Sequence, residues 1–283
     1  MRKEKNLRTR VVTGVQYSII ILWVAITLVV FGWVFLSSFK ANSEIFINIW
    51  GLPSKWMAVN YKNAWTHGHM NHYVGNTVII VLTSLTVSMI MGSCTAYAIS
   101  RYSHLRWTKW ISVAFIMGMS IPGQIIIVPL YIRFSQLHLL NTYPGIILVY
   151  ITILLPFTVF VLTGFFRSLP KDVEEAAQID GCTRFQVFYK IFLPMSKPGL
   201  VTVLTMNLFT LWNEYFYSMM LISDEKVMPL SAGLYNLKNQ QQMSMDWASI
   251  FAGVMIMLIP TVIIFFILQR HITRGVTDGA VKG

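Results

Sequence analysis

Acids are scarce in this chain, and their placement is the first clue to what it does. Eleven Asp and Glu occur in 283 residues, and four of them, Asp172, Glu174, Glu175 and Asp180, fall within one short polar run. A fifth, Glu214, lies inside an apolar stretch, where an ionisable group is a functional candidate by default. It could couple an ion to transport, or it could hydrogen-bond neighbouring helices. Asn207, Asn213 and Tyr215 are the other polar groups around it that could line a solute path. His67, His69 and His72 have metal-like spacing but read as surface histidines, and no metal ligand set is expected. Cys94 and Cys182 read as small packing residues. The G-x-x-x-x-G-K-[ST], H-E-x-x-H and G-x-S-x-G patterns are absent, so nothing marks the chain as an NTPase, zinc protease or serine hydrolase.

The elements that must position these residues are apolar. The chain is 55% hydrophobic and 12% charged, with a mean hydropathy of +0.60, against about 25% charged in an ordinary soluble domain. Windows 11–39, 63–100, 110–132, 134–166 and 247–269 contain no Asp, Glu, Lys or Arg. Each can supply the ~20 apolar residues that cross a bilayer. With 200–222, which carries Glu214, they predict an all-α integral membrane protein of six transmembrane helices. The apolar run from Tyr17 is too long for a signal-peptide core and has no small-residue cleavage site after it, so it reads as an uncleaved span. Six spans place both termini on one side. Of the 22 Lys and Arg, sixteen fall on that side and six on the other, so the rule that positive loops stay inside puts both termini in the cytoplasm. The net charge of +11 then belongs to span flanks rather than to nucleic-acid binding.

The expected organisation is a cytoplasmic tail at 1–14, a first span at 15–39 and an extracytoplasmic connector at 40–72. A core of helices 2–6 follows at 73–270 and a cytoplasmic tail at 271–283. The connector holds Trp50, Trp56 and Trp65; such aromatics sit at the membrane–water interface or form a docking surface for an outside partner, and the residues do not choose. Gly92-Ser-Cys-Thr-Ala96 is a small-xxx-small element that lets helices approach closely. Pro122, Pro156 and Pro260 fall near the middle of three spans, either as ordinary packing kinks or as kinks lining a solute path. Segment 223–246 reads as a polar loop.

The four clustered acids lie in 168–199, a cytoplasmic connector with its own folding instructions. Pro170 suits a helix first turn, and Asp172, Glu174 and Glu175 complement its dipole. Val173, Ala176, Ala177 and Asp180 share one face by helical spacing. Gly181 supplies a left-handed stop. Thr183 and Gln186 form a capping box for a second helix carrying Phe185, Phe188, Tyr189 and Phe192. An interfacial helix on lipid would be basic on its polar face; this one is acidic, so a docking element for a cytoplasmic protein is expected.

Glu175-Ala176-Ala177, then Gly181, Ile191 and Leu193-Pro194, with Asp180 and Pro198 also matching, resembles the EAA motif of binding-protein-dependent ABC transporter permeases. Leu211-Trp-Asn-Glu-Tyr215 and the tail from Gly275 are similar to the carbohydrate-uptake branch, specifically the MalG-type subunit of the maltose transporter. The resemblance covers about residue 60 to the C-terminus and implies a MetI-like permease core. It implies a second, different permease subunit, two ABC ATPase subunits and an extracytoplasmic sugar-binding protein as partners. It also implies that the 168–199 loop docks on an ATPase, with Glu175, Ala176, Ala177, Asp180, Gly181, Ile191, Leu193 and Pro194 as coupling residues. Arg274, Gly275 and Lys282 would add tail contacts to the ATPase, and the 223–246 loop would reach toward the binding protein. No cofactor is expected on this chain; ATP and Mg belong to the ATPase subunits. The rival reading is an ion-coupled secondary transporter using Glu214.

Overall fold

The computed structural model describes residues 2–244 and 246–280, with side chains over 12–239 and 246–269. Among the described residues it is helical with no strand. The order is α1 (Arg2–Ser37), α2 (Asn42–Ile47), α3 (Val59–Thr66), α4 (Met70–Arg101), α5 (Arg106–Ser120), a 3₁₀ turn (Gly123–Ile126), α6 (Ile127–Gln136), α7 (Tyr143–Ser168) and α8 (Lys171–Ile179). Then come α9 (Arg184–Val187), a π turn (Phe188–Phe192), α10 (Leu193–Met195), α11 (Lys197–Trp212), α12 (Phe216–Leu221), α13 (Leu230–Ser244) and α14 (Trp247–Ala280). Among the described residues, four stretches are long and apolar enough to cross a membrane: Val12–Ser37, Met70–Arg101, Tyr143–Ser168 and Trp247–Gln269. The number rises to six if each of two bent helix pairs is one span.

The first bent pair corrects the expectation of a simple kink in a continuous third span; the second is a 75° bend between Arg184–Met195 and Lys197–Trp212, where the 168–199 segment meets the fifth span. At Ile121-Pro122 the chain leaves the helix altogether, and Arg106–Ser120 meets Gly123–Gln136 at 88°. Pro122 sits in extended backbone before the 3₁₀ turn, because the residue before a proline is pushed out of the helical region and proline itself has no N–H to continue the ladder. The fifth span ends as helix at Trp212, is interrupted at 213–215, and resumes as α12. Pro156 and Pro260, by contrast, lie inside α7 and α14. The expected loop at 223–246 is instead largely α13, whose first residues, 230–233, are buried on all sides together with Leu237; burial of this start overrode its polar composition.

The chain divides into two units, Met1–His69 with Asn236–Met257, and Met70–Tyr235 with Leu258–Gly283. In the first, the connector after α1 is knitted by side chains. Asn60 Nδ2 donates to the carbonyls of Ser38 (3.0 Å) and Lys40 (2.9 Å), and Ser38 Oγ meets Tyr61 Oη at 2.7 Å. Asn42 Oδ1 accepts from the Trp247 amide at 2.8 Å, capping the start of α14.

In the second unit α7 is the hub, packed on α4, α5, α11 and α12. Hydrogen bonds set its directions. Tyr143, at the start of α7, donates to Asn76 near the start of α4, and Arg101, at the end of α4, donates to Phe166 O near the end of α7. So α4 and α7 run parallel. Asn207 near the end of α11 donates to Thr158, while Gly199 at its start lies against Phe165, so α11 runs antiparallel to them. Without a hydrophobic drive between helices in lipid, small residues and polar ties hold such contacts. Ser84, Ser88 and Thr158 are fully buried, and a Cβ on Gly92 would overlap Thr158. The Gly92 element of the sequence is thus the α4–α7 contact. Gly92→Val is expected to destabilise the chain by about 1–3 kcal/mol through overpacking, read as a lower Tm in detergent; an unchanged Tm would contradict this contact.

Candidate functional site

At the end where α4 and α7 terminate, the 168–199 segment forms a helix, a turn and a second helix. Gly181 has φ +82°, the left-handed conformation that glycine adopts at no steric cost. The amide of Cys182 donates to Ala177 O (2.9 Å) and that of Gly181 to Gln178 O (3.1 Å), closing the C-terminus of α8. The Thr183–Gln186 capping box is formed in both directions, with Thr183 N donating to Gln186 Oε1 at 2.7 Å and Gln186 N to Thr183 Oγ1 at 3.3 Å. Pro170 stands one position earlier than expected, as the residue capping α8. Beyond Val187 the helix widens into the π turn that precedes Pro194, a relief for a residue whose ring clashes with the carbonyl four positions back.

The predicted face of Val173, Ala176, Ala177 and Asp180 is split. Ala177 is buried and Val173 is half-buried, whereas Ala176 and Asp180 are exposed together with Glu175. The reason is that α8 lies down on its Ala177 side, against a cluster of Ala96, Leu162, Phe166, Val187, Phe188, Phe192 and Val203. Ile191 and Leu193 pack onto the same cluster, so these two motif residues root the element, and Pro194 remains exposed. Ile179 is 86% exposed beside Glu175 and Ala176. It is an apolar side chain left in solvent on an otherwise acidic helix, a feature that spacing alone did not single out.

Arg101 is the second residue that sequence reasoning missed, having served only as a topology charge. Its guanidinium lies 4.1 Å from the Phe192 ring centroid. One Nη donates to Phe166 O at 2.8 Å and more weakly to Leu169 O at 3.4 Å, satisfying carbonyls at the end of α7. Its Nε is 3.4 Å from Glu174 Oε2, an ion pair that falls short of a directed hydrogen bond. One side chain therefore ties α4 to α7, α8 and the π turn. Arg184 adds a tie, donating to Tyr102 Oη at 2.9 Å.

The second cluster lies where the broken helices meet. A Cβ on Gly123, beside the Pro122 break, would overlap the Tyr217 hydroxyl of α12, so the two interruptions touch. Glu214 occupies the break after α11. Its carboxylate accepts from Tyr150 Oη at 2.7 Å and from the Tyr217 amide at 2.8 Å, and its carbonyl accepts from Ser231 Oγ. It is a cap and an inter-helix tie, with both carboxylate oxygens occupied. Asn213 donates to Phe209 O at 2.9 Å, closing α11. Asn207 is buried and bonded to Thr158, although it also borders a cleft of about 450 Å³ with Phe157, Met206 and Thr210. Tyr215 is exposed, 6.2 Å centroid to centroid from the exposed ring of Tyr235. Arg274, Gly275 and Lys282 fall outside the residues whose side-chain surroundings the structure describes.

Glu214→Gln is expected to keep function, because an amide can accept from the Tyr217 N–H and donate to the Tyr150 oxygen. Glu214→Ala orphans both partners and is expected to cost about 1–3 kcal/mol in stability. Loss of uptake in the Gln variant, with folding intact, would instead require a titrating carboxylate.

The family model of the binding-protein-dependent transport system inner membrane component matches residues 84–278. Among curated relatives, the diacetylchitobiose uptake system permease protein NgcG of Streptomyces coelicolor is 35% identical, over 95% of this chain and 89% of that one. The probable ABC transporter permease protein YurM of Bacillus subtilis is 36% identical, over 89% and 82%. The trehalose transport system permease protein SugB of Mycobacterium tuberculosis is 31% identical, over 89% and 91%. Among solved structures, a bacterial ABC transporter importing the acidic polysaccharide alginate shares the fold with a TM-score of 0.80 at 21% identity, over 92% of this chain and 96% of that one.

Proposed function

Because the chain belongs to the family of binding-protein-dependent transport system inner membrane components, we infer that the α8–α10 element is the point at which it receives mechanical work. The protein is a permease subunit of a carbohydrate-uptake ABC importer, residing in the inner membrane; it performs no bond chemistry, and ATP is hydrolysed by separate subunits. An extracytoplasmic binding protein delivers the solute. The observation that carries the coupling role is the rooted helix with an exposed crown: Glu175, Ala176, Ile179 and Asp180 face outward, while Arg101 and the aromatic cluster fasten the same helix to α4, α7 and α11.

In this reading α8 docks in a cleft of one of two ABC ATPase subunits, and a second, different permease subunit completes the path. Ile191, Leu193, Pro194 and Gly181 set the shape of the lever. Both termini and the coupling element are cytoplasmic, with 40–72 outside. ATP and Mg²⁺ stay on the ATPases, and this chain holds no cofactor. The cargo is a sugar, a reading supported by the diacetylchitobiose and trehalose systems among the relatives. Tyr215 and Tyr235 would offer ring faces to it, and the two adjoining helix breaks supply the non-helical backbone that membranes tolerate only where it is buried or lines a cavity. Closure of the ATPases moves α8, and the helices fastened to it tilt, so that access alternates.

Reconstitution tests this. Vesicles holding this chain, its partner permease, the ATPase and the binding protein should accumulate a labelled sugar only with internal ATP. Accumulation driven by a proton or sodium gradient without ATP would contradict it.

A further inference from the structure

The connector after α1 contains an apolar patch well apart in sequence from the 168–199 coupling segment. Residues 45–53, IFINIWGLP, carry no charge. Ile45 is buried beneath them, but Ile47 is 85% exposed, Trp50 73% and Leu52 70%, with Phe46 and Ile49 exposed beside them. Five apolar side chains on one short segment form a patch too large to be incidental.

Two sets of contacts report how deep this segment sits. Trp33 Nε1 donates to Ile49 O at 2.9 Å, and the Trp33 and Trp50 ring centroids are 6.2 Å apart. Trp33 lies four residues, about 6 Å, before the end of α1, and helical side chains lean back toward the helix start. The segment therefore turns back alongside the span rather than standing off its end. The second marker agrees. Trp33 also meets Phe251, four residues inside α14, at 5.2 Å, while Phe46 meets Trp247, the first residue of α14, at 6.1 Å. Phe46 is level with the span ends and Trp50 lies about one helical turn below them.

Backbone carbonyls at that depth need internal partners, since hydrocarbon supplies none. Lys40 provides them: fully buried, its Nζ donates to Asn48 O at 2.6 Å and Ile49 O at 2.9 Å. The loop is closed from the far side by the Ser54 amide, which donates to Glu44 Oε1 at 2.9 Å; this bond holds the Glu44 carboxyl below its usual pKa, so it stays ionised at neutral pH. The neighbouring face of α1 is exposed and apolar along its length, so the patch continues a surface that already faces lipid.

We propose that residues 46–52 form a lipid-seated wedge, which inserts Ile47, Trp50 and Leu52 into the bilayer leaflet at the connector end of α1 and sets the depth of that span, with Lys40 as its internal cap. Tryptophan suits this boundary, and the nearest exposed cation, Lys55, follows the wedge by three residues, where a lysine reaches back to water.

The test uses the full chain made cysteine-free by Cys94→Ala and Cys182→Ala, with Leu52→Cys carrying an environment-sensitive NBD label. It is reconstituted in phosphatidylcholine–phosphatidylglycerol vesicles; Lys62→Cys serves as the water-facing control, and Trp50→Cys repeats the measurement at a second wedge position. The label at 52 should emit at shorter wavelength than at 62. It should lose most of its fluorescence to lipid bearing a shallow doxyl group, and little to aqueous iodide. Quenching by iodide and not by lipid would overturn the proposal. So would shielding from both quenchers, which assigns the patch to packing within the protein rather than to lipid, or shielding that appears only when the binding protein is added, which assigns it to that protein.

Discussion

Glu175→Lys will leave the chain in the membrane and abolish ATP-driven uptake. Glu175 is exposed on α8, and surface substitutions away from packing usually move stability by no more than about 0.5 kcal/mol. The rooted side of the helix, Ala177 and the aromatic cluster beneath it, is untouched. What changes is the docking face, where an acid is exchanged for a base. Placing a wrong charge at such an interface costs about 2–5 kcal/mol, or at least about 30-fold in affinity. The variant should therefore reach the membrane at normal yield, co-purify little ATPase and transport nothing. Gly181→Pro reaches the same end by another route. Proline holds φ near −65°, so it cannot adopt the +82° of Gly181, and α8 would be turned away from its seat. Normal ATPase recovery with normal uptake in either variant would contradict the docking role.

Arg101→Ala is expected to separate ATP hydrolysis from transport. Arg101 binds the carbonyl end of α7, stacks on Phe192 and pairs with Glu174, so its loss leaves α8 held to the spans only by its Ala177 side and loosens it without altering the exposed crown. Each lost bond to a charged group removes about 1.5–3 kcal/mol. The ATPase should still bind and hydrolyse, while sugar moved per ATP falls sharply. Arg101→Lys should not restore it, because an ammonium keeps the charge but lacks the flat, forked group that stacks and bonds at once. Glu174→Ala should be milder, since it removes one of the three contacts. Full coupling in Arg101→Ala, measured as sugar per phosphate released, would remove Arg101 from the transmission path.

The difference between these two residues marks what could be read in advance. Glu175, Gly181, Thr183 and Gln186 act through neighbours within a few positions. A stop glycine or a capping box is a local arrangement, so the coupling element was legible almost residue by residue. Arg101 acts across sixty-five residues, through Phe166, and its role depends on α4 and α7 running parallel, which no local pattern states. The same holds at the helix breaks. Pro122 marks an interruption in the sequence, but whether a proline kinks a span or ends it depends on what fills the gap, here Tyr217 against Gly123. Glu214 was visible as an acid in an apolar stretch; its part as cap of the resumed helix needed Tyr150 and the Tyr217 amide in place. Segment 223–246 looked like a loop because its polar residues outnumber its apolar ones, and only burial of the start of α13 with Leu237 shows it as a helix.

The most direct measurement places a photoreactive benzoylphenylalanine at position 179, the exposed apolar residue of α8, in the assembled transporter. Illumination should give one dominant adduct, with the ATPase subunit, and Glu175→Lys should remove it. A complex that transports normally yet gives no such adduct, or an adduct with lipid alone, would contradict the claim that α8 docks on the ATPase.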